Sequence, residues 1–453
     1  MKKLFFVLSL TFLMAASSSA QQKFTAHLNS PQEVPVNSFA GSGSCVITLN
    51  AAQTSVSVAC SYSGLSTNLV AGHIHAVASG GAGGGIGVNS PVQFGFPAAS
   101  GGTSGSFTAG PFTITAAQLT QLRENRWYVN LHTVMFSGGE IRGQVKKANT
   151  VYDFDGDGRT DITVFRSSDR RFYTRQSLTN TLQANIFGIS TDTWFNLTGD
   201  FDGDGRGDPV LFRTDSSERL FWAVLQTRTN TVRNVQWGLS SSAVDDLAAP
   251  ADYDGDGTAD IAVFRRSTGF WYIIESSTGN PRYEKWGTTG DTAAVGDYDG
   301  DGRADLAVIR VEGTSYVWYI RESSTGSQRV VIWGTNGDFF SVFAPIDIDG
   351  DGRQDIAIAR PVNGQYLFAV LRSSDGQQTY MTWGKATPPE DEIVLGDYDG
   401  DGKTDIVAIR NVSGQLLWQI LRSSGGADFI PWGITNDQRP VETNKLLKGF
   451  LVP

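Results

Sequence analysis

The chain has 453 residues, 40% hydrophobic and 11% aromatic, enough for two or three packed domains and incompatible with global disorder. Its formal net charge of −10 argues against a nucleic-acid partner, because phosphate binding needs clustered Lys and Arg. Two cysteines and four histidines leave few places for chemistry that depends on either residue.

At the N-terminus, Lys2 and Lys3, the apolar stretch from Leu4 to Ala16 and the small residues Ser18-Ser19-Ala20 read as a secretory signal peptide over 1–20. Cleavage before Gln21 places the protein outside the cytoplasm, secreted, periplasmic or held at the cell surface, with no transmembrane segment in the mature chain. Charge then divides what remains. Residues 21–147 hold six Lys/Arg, three Glu and no Asp, whereas the rest holds 28 basic residues against 43 acidic ones and no His or Cys. A boundary near Lys147 follows, giving domains over 21–147 and 148–453.

In the first domain, alternating apolar residues predict strands at Ser44–Leu49, Ser55–Tyr62, Val70–Val77, Gly105–Ile114, Trp127–Thr133 and Glu140–Val145, an antiparallel β-sandwich. A hairpin that pairs Leu49 with Val56 sets Cys45 opposite Cys60, so an exported chain is expected to carry that cross-strand disulfide. His73 and His75, two apart on a strand, face one side, and His132 can join them from another strand. Three imidazoles on one face form a candidate site for zinc or copper; hydrogen-bonded structural histidines beside Glu140 and Arg142 are the other reading. Glu140 is also a candidate to orient a histidine. No nucleophile elbow accompanies it.

The motifs Gly72-His73-Ile74-His75, Tyr128-Val129-Asn130-Leu131-His132-Thr133 and Gly139-Glu140-Ile141-Arg142-Gly143-Gln144 come in that order. With the opening Leu28–Pro35 segment and the Gly-rich stretch after His75, they resemble the CHRD domain over nearly all of residues 23–147. The resemblance implies fold and export more than an activity.

The acidic part is a repeat array. A nine-residue loop, Asp-x-Asp-Gly-Asp-Gly-x-x-Asp, begins at Asp153, Asp200, Asp252, Asp297, Asp347 and Asp397, at intervals of 47, 52, 45, 50 and 50 residues. Phe187-Gly188 and then Trp-Gly at Trp237, Trp286, Trp333, Trp383 and Trp432 keep the same beat. A period near fifty with four short strands per unit predicts a β-propeller, most simply of six blades. Around the fourth loop the strands are Thr292–Gly296, Asp305–Ile309, Tyr316–Arg321 and Arg329–Trp333, and the tail after Gly433 stands where a first strand for the first blade is needed.

Carboxylates at loop positions 1, 3, 5 and 9, with the carbonyl of position 7, can wrap a hard cation, and glycines at 4 and 6 allow the tight turn. In chain order the ligand sets are Asp153, Asp155, Asp157, Arg159 and Asp161, then Asp200, Asp202, Asp204, Arg206 and Asp208, then Asp252, Asp254, Asp256, Thr258 and Asp260. The next three are Asp297, Asp299, Asp301, Arg303 and Asp305, then Asp347, Asp349, Asp351, Arg353 and Asp355, then Asp397, Asp399, Asp401, Lys403 and Asp405. Calcium, about six ions and structural, is the expected cofactor. An EF-hand is excluded because position 12 is Val164, Leu211, Val263, Val308, Ile358 and Ala408 instead of Glu.

These loops resemble FG-GAP/VCBS repeats, found in integrin α-chain propellers and many secreted bacterial proteins. The resemblance implies a binding platform. An arginine recurs at position 14 (Arg166, Arg213, Arg265, Arg310, Arg360, Arg410), read either as the holder of a neighbouring carboxylate or as a ring of ligand-binding cations. Tyr173, Trp222, Trp271, Trp318 and Trp418 are read mainly as blade core, with stacking on sugar rings as the alternative. The expected function is a secreted, calcium-dependent, non-enzymatic binding or adhesion protein whose partner is an extracellular glycan or surface protein. The competing classes are an enzyme with a His-ligated metal in the first domain and a structural surface-layer spacer.

Overall fold

The computed structural model describes residues 22–440 apart from 36, 38, 40, 51, 77–88, 97–100, 124–125, 148–150, 190, 193, 195–196, 205, 241–245 and 341–345. The expected signal peptide, the residues at the expected domain junction and the last stretch of the tail lie outside the described residues.

The first domain is built on β1 (Gln22–Asn29), β2 (Ser42–Leu49), β3 (Ser55–Ser63), β4 (Leu69–Ala76), β5 (Val92–Gly95), β6 (Gly105–Thr113), α1 (Ala116–Arg123), β7 (Trp127–Thr133) and β8 (Ile141–Lys147). Alternation sets the faces: in β3, Val56, Val58, Cys60 and Tyr62 are buried while Ser57, Ala59, Ser61 and Ser63 are exposed. All pairings are antiparallel and run β5-β4-β7-β8-β1-β2-β3-β6. This single sheet curls until side chains of its two edges meet, with Phe94 stacked on Phe112 at 4.9 Å and Phe96 against Phe107 at 5.4 Å. The two layers of the expected sandwich are therefore the two halves of one sheet around one core. The helix was not expected; Thr115 caps it by accepting the Gln118 amide, and Gln118 reaches back to the Thr115 amide. In the β2–β3 hairpin Leu49 faces Val56, and Cys45 is disulfide-bonded to Cys60 directly opposite.

The second part contains six consecutive antiparallel sheets among the described residues. The fourth comprises β9 (Thr292–Ala293), β10 (Leu306–Glu312), β11 (Ser315–Arg321) and β12 (Gln328–Thr335), close to the expected strands. Strands equivalent to β10 are buried on both faces, as in Ile162–Phe165 and Ile261–Phe264, and so read as unbroken apolar runs.

Tryptophan links the sheets. The third-strand indoles of Trp222, Trp271, Trp318 and Trp418 donate within their own sheets to the carbonyls of Trp237, Trp286, Trp333 and Trp432. The fourth-strand indoles reach onward: Trp237 to the Tyr272 carbonyl, Trp286 to Tyr319, Trp333 to Ala369, Trp383 to Gln419 and Trp432 back to Tyr173, at 2.9–3.2 Å. The last of these bonds joins the sixth sheet to the first. The tail supports the same join, because Gln438 forms an antiparallel bridge with Phe165 through two 2.8 Å bonds. Together these contacts make a closed, propeller-like ring.

Tyr173 does not occupy the tryptophan register; Phe172 does, lying opposite Phe165 as Trp222 lies opposite Phe212. Tyr173 is one residue further on, where Tyr272 and Tyr319 stand in other sheets. The third-strand tryptophans are at most 2% exposed, which removes them from sugar stacking.

Candidate metal sites

Each aspartate loop leads into the second strand of its sheet, and in the second, third, fourth and sixth sheets it joins a first strand to that strand. In the first loop, Asp153 accepts the amides of Gly156 and Gly158 at 2.7 and 2.8 Å. Both glycines have positive φ, 83° and 94°, so a side chain at either would strain the turn. Asp161 accepts the Phe154 amide at one oxygen and the Ser177 amide at the other. The carboxylates of positions 1, 3 and 9 thereby converge. Asp153, Asp155 and Asp161 offer oxygens within 4.8 Å of one another, as do the equivalent trios beginning at Asp200, Asp252 and Asp297. Position 5 sits beside the cluster, where Asp157 accepts from the Arg159 guanidinium at 2.7 Å and the Ser177 hydroxyl at 2.8 Å.

Burial and, after it, the charge of neighbouring aspartates hold many of these acids well above the usual carboxylate range. Asp208 and Asp260 are pushed up to about 7, and Asp305 to about 8. Several carboxylates and a backbone carbonyl on one tight loop make an all-oxygen donor set, which fits a calcium ion in charge and chemistry. A serine or threonine on the turn between third and fourth strands, missed in the sequence, completes each loop. Ser177, Thr227, Ser276, Ser323, Ser373 and Ser423 each donate an amide to the position-9 carboxylate at 2.6–2.7 Å. The recurring Ser-Ser pairs at Ser276, Ser323, Ser373 and Ser423 were the available signal.

The loops also hold one another. The position-8 amide of each donates to the position-1 carbonyl of the loop before it: Gly207 to Asp153, Ala259 to Asp200, Ala304 to Asp252, Gln354 to Asp297 and Thr404 to Asp347, each at 2.7 Å. Thr160 completes the circle by donating to Asp397 at 2.6 Å.

The position-14 arginines hold carboxylates. Arg166 pairs with Asp437, Arg213 with Asp192, Arg265 with Asp246, Arg310 with Asp291, Arg360 with Asp338 and Arg410 with Asp391, each through Nε and Nη2. Each partner aspartate also caps the turn after the Trp-Gly or Phe-Gly pair, as when Asp291 accepts the Thr288 amide. Those aspartates were missed because their distance from the glycine is four residues in most units but eight at Asp246 and seven at Asp391.

In the first domain the structure brings His73, His75 and His132 together. The His73 Nδ1 and His132 Nε2 atoms are 2.9 Å apart, and one ring nitrogen from each of the three lies within 4.8 Å of the others. His75 Nδ1 meets the Ser90 carbonyl at 2.7 Å, and His132 Nδ1 meets the Ser137 carbonyl at 2.9 Å. Burial lowers the basicity of all three rings. Glu140 does not orient a histidine. It is fully buried and accepts from the Ser66 amide, the Ser66 hydroxyl and the Thr133 hydroxyl, each at 2.6 Å, tying two loops together. Arg142 instead lies over the Tyr128 ring at 3.6 Å, and Tyr128 stacks on His75 at 4.6 Å.

Residues 24–145 match the CHRD domain, and residues 252–308 and 297–358 match the FG-GAP-like repeat. No curated protein matches the chain. Among solved structures, a protein from Lactobacillus plantarum is 12% identical with a TM-score of 0.30, covering 60% of this chain and 80% of its own. A putative 6-phosphogluconolactonase from Bacteroides uniformis is 10% identical with a TM-score of 0.31, covering 62% and 96%. An exotype rhamnogalacturonan lyase is 12% identical with a TM-score of 0.30, covering 85% and 72%.

Proposed function

The chain carries a CHRD domain followed by FG-GAP-like repeats, and from that architecture we propose an extracellular protein whose calcium-held ring of sheets presents a binding surface for a glycan or a surface protein. Both matched families are non-catalytic domain types, and the disulfide suits an oxidising compartment. No helix among the described residues is long and apolar enough to cross a membrane.

The observation that carries the reading is the interlocked circle of aspartate loops. Six loops tied amide-to-carbonyl, each crowded with carboxylates, form a rigid hub only if their repulsion is neutralised. Calcium supplies that neutralisation, and a rigid hub fixes the loops at the rim, as a recognition surface requires. Six Ca²⁺ would offset 12 of the 15 net negative charges carried by residues 148–453. A glycan-array and surface-protein screen of the mature chain in calcium buffer tests this. Binding that disappears with EDTA and returns with calcium supports the proposal; an absence of hits in calcium, or binding indifferent to EDTA, contradicts it.

A further inference from the structure

We propose that His73, His75 and His132 bind a single divalent transition-metal ion of the zinc and copper class, a site separate from the calcium loops of the repeats. The backbone creates the cluster. His73 and His75 lie two apart on β4 and share a face, while His132 on β7 is opposite Ala71, one register diagonal from His73.

The hydrogen bonds then fix which ring nitrogens remain for a ligand. A backbone carbonyl only accepts, so Nδ1 of His75 and Nδ1 of His132 must carry their protons toward Ser90 and Ser137. In the neutral rings this leaves both Nε2 lone pairs facing inward. Among the described residues, Nε2 of His75 is buried without a hydrogen-bond partner, a costly state for a strong acceptor that metal coordination would satisfy. Nε2 of His132 faces Nδ1 of His73, so a metal between them would replace the proton they now share. The backbone carbonyls behind His75 and His132 are the outer support that metal-bound histidines ordinarily have.

The surrounding residues hold the rings in place. Tyr128 lies flat on His75, 3° from parallel, with the Arg142 guanidinium on its other face. Three imidazoles without a carboxylate in the trio select borderline metals over calcium or magnesium. Three protein ligands also leave a fourth position for water or an exogenous ligand.

The test uses the calcium-replete mature chain, stripped of transition metals, titrated calorimetrically with Zn²⁺ and, separately, Cu²⁺, with Co²⁺ absorption reporting coordination. The expected result is one equivalent of either ion and Co²⁺ bands typical of tetrahedral nitrogen ligation. His132→Ala and His75→Ala should each weaken binding by about 100-fold or more, beyond the cost of losing a mere supporting group. Circular dichroism and calcium content should stay unchanged in both. His27→Ala, which changes the fourth histidine on β1, should bind as the parent does. Should the buried substitutions unfold the domain, the half-buried His73→Asn serves in their place. No stoichiometric uptake of any of the three ions, or uptake equally strong after His75→Ala or His73→Asn, overturns the proposal.

Discussion

A carboxylate buried beside two others opposes folding once it is ionised. At the residue scale this defines the aspartate loops: burial first, and then Asp299, push Asp305 up to about 8, and burial with nearby Asp351 and Asp355 does the same to Asp347. The sign of the pH dependence follows. An acid with a folded pKa above its unfolded value near 3.8 favours the folded state only while protonated. Its penalty is absent below about pH 4 and grows until pH passes the folded value. The calcium-free chain is therefore predicted to melt at progressively higher temperature as pH falls from 8 toward 5. With calcium bound the carboxylates stay ionised, and lowering pH should instead reduce the melting temperature by driving the ion off. Calorimetric scans in EDTA and in calcium across that range check both slopes; parallel slopes would show that no cation sits among these carboxylates.

At the scale of elements, four of the six repeats carry two tryptophans that divide the work, one bonding inside its sheet and one reaching the next sheet. The first unit provides a natural control, since Phe187 stands where the other five carry the outward tryptophan and is buried without an indole donor. Trp237→Phe should accordingly fit sterically yet leave the Tyr272 carbonyl without its 2.9 Å donor. A loss of about 1–2 kcal/mol is expected in denaturant unfolding, with calcium content unchanged. A neutral outcome would mean that the inter-sheet bond adds nothing to ring stability.

Much at this scale was legible in the sequence because it is local. The β2–β3 hairpin register follows from one turn, and the repeat strands follow from strict spacing around each loop. Strand β1 was missed because its inward residues Phe24, Ala26 and Leu28 include a small one between polar neighbours, a weak alternation. The short β5 and the eight-residue α1 carry little periodic signal of their own. The histidine site was half legible: the His-x-His pair is local, but the carbonyls of Ser90 and Ser137 that set its tautomers depend on loop paths. Likewise, the arginine at position 14 was visible in every repeat, whereas its partner was obscured by turns of unequal length.

At the scale of the whole molecule, closure depends on residues far apart in sequence. Trp432 reaches Tyr173, Thr160 reaches Asp397, and Asp437 takes for Arg166 the part that Asp291 takes for Arg310 within one repeat. The tail thus supplies the first sheet with what every other sheet receives from the chain just before it. Such a ring ties its aspartate loops to one another, which concentrates negative charge along their circle, while the matched Arg–Asp pairs lie further along each second strand.

Calcium held in the loops would join the residue, the element and the whole molecule in one assembly. Elemental mass spectrometry of the mature chain, purified from calcium buffer without chelator and desalted, measures that calcium directly. About six calcium ions per chain are expected, one for each of the six Asp-x-Asp-Gly-Asp-Gly-x-x-Asp loops. A calcium content near zero would contradict that expectation, and the aspartates would then be turn formers whose carboxylates serve only the amides around them.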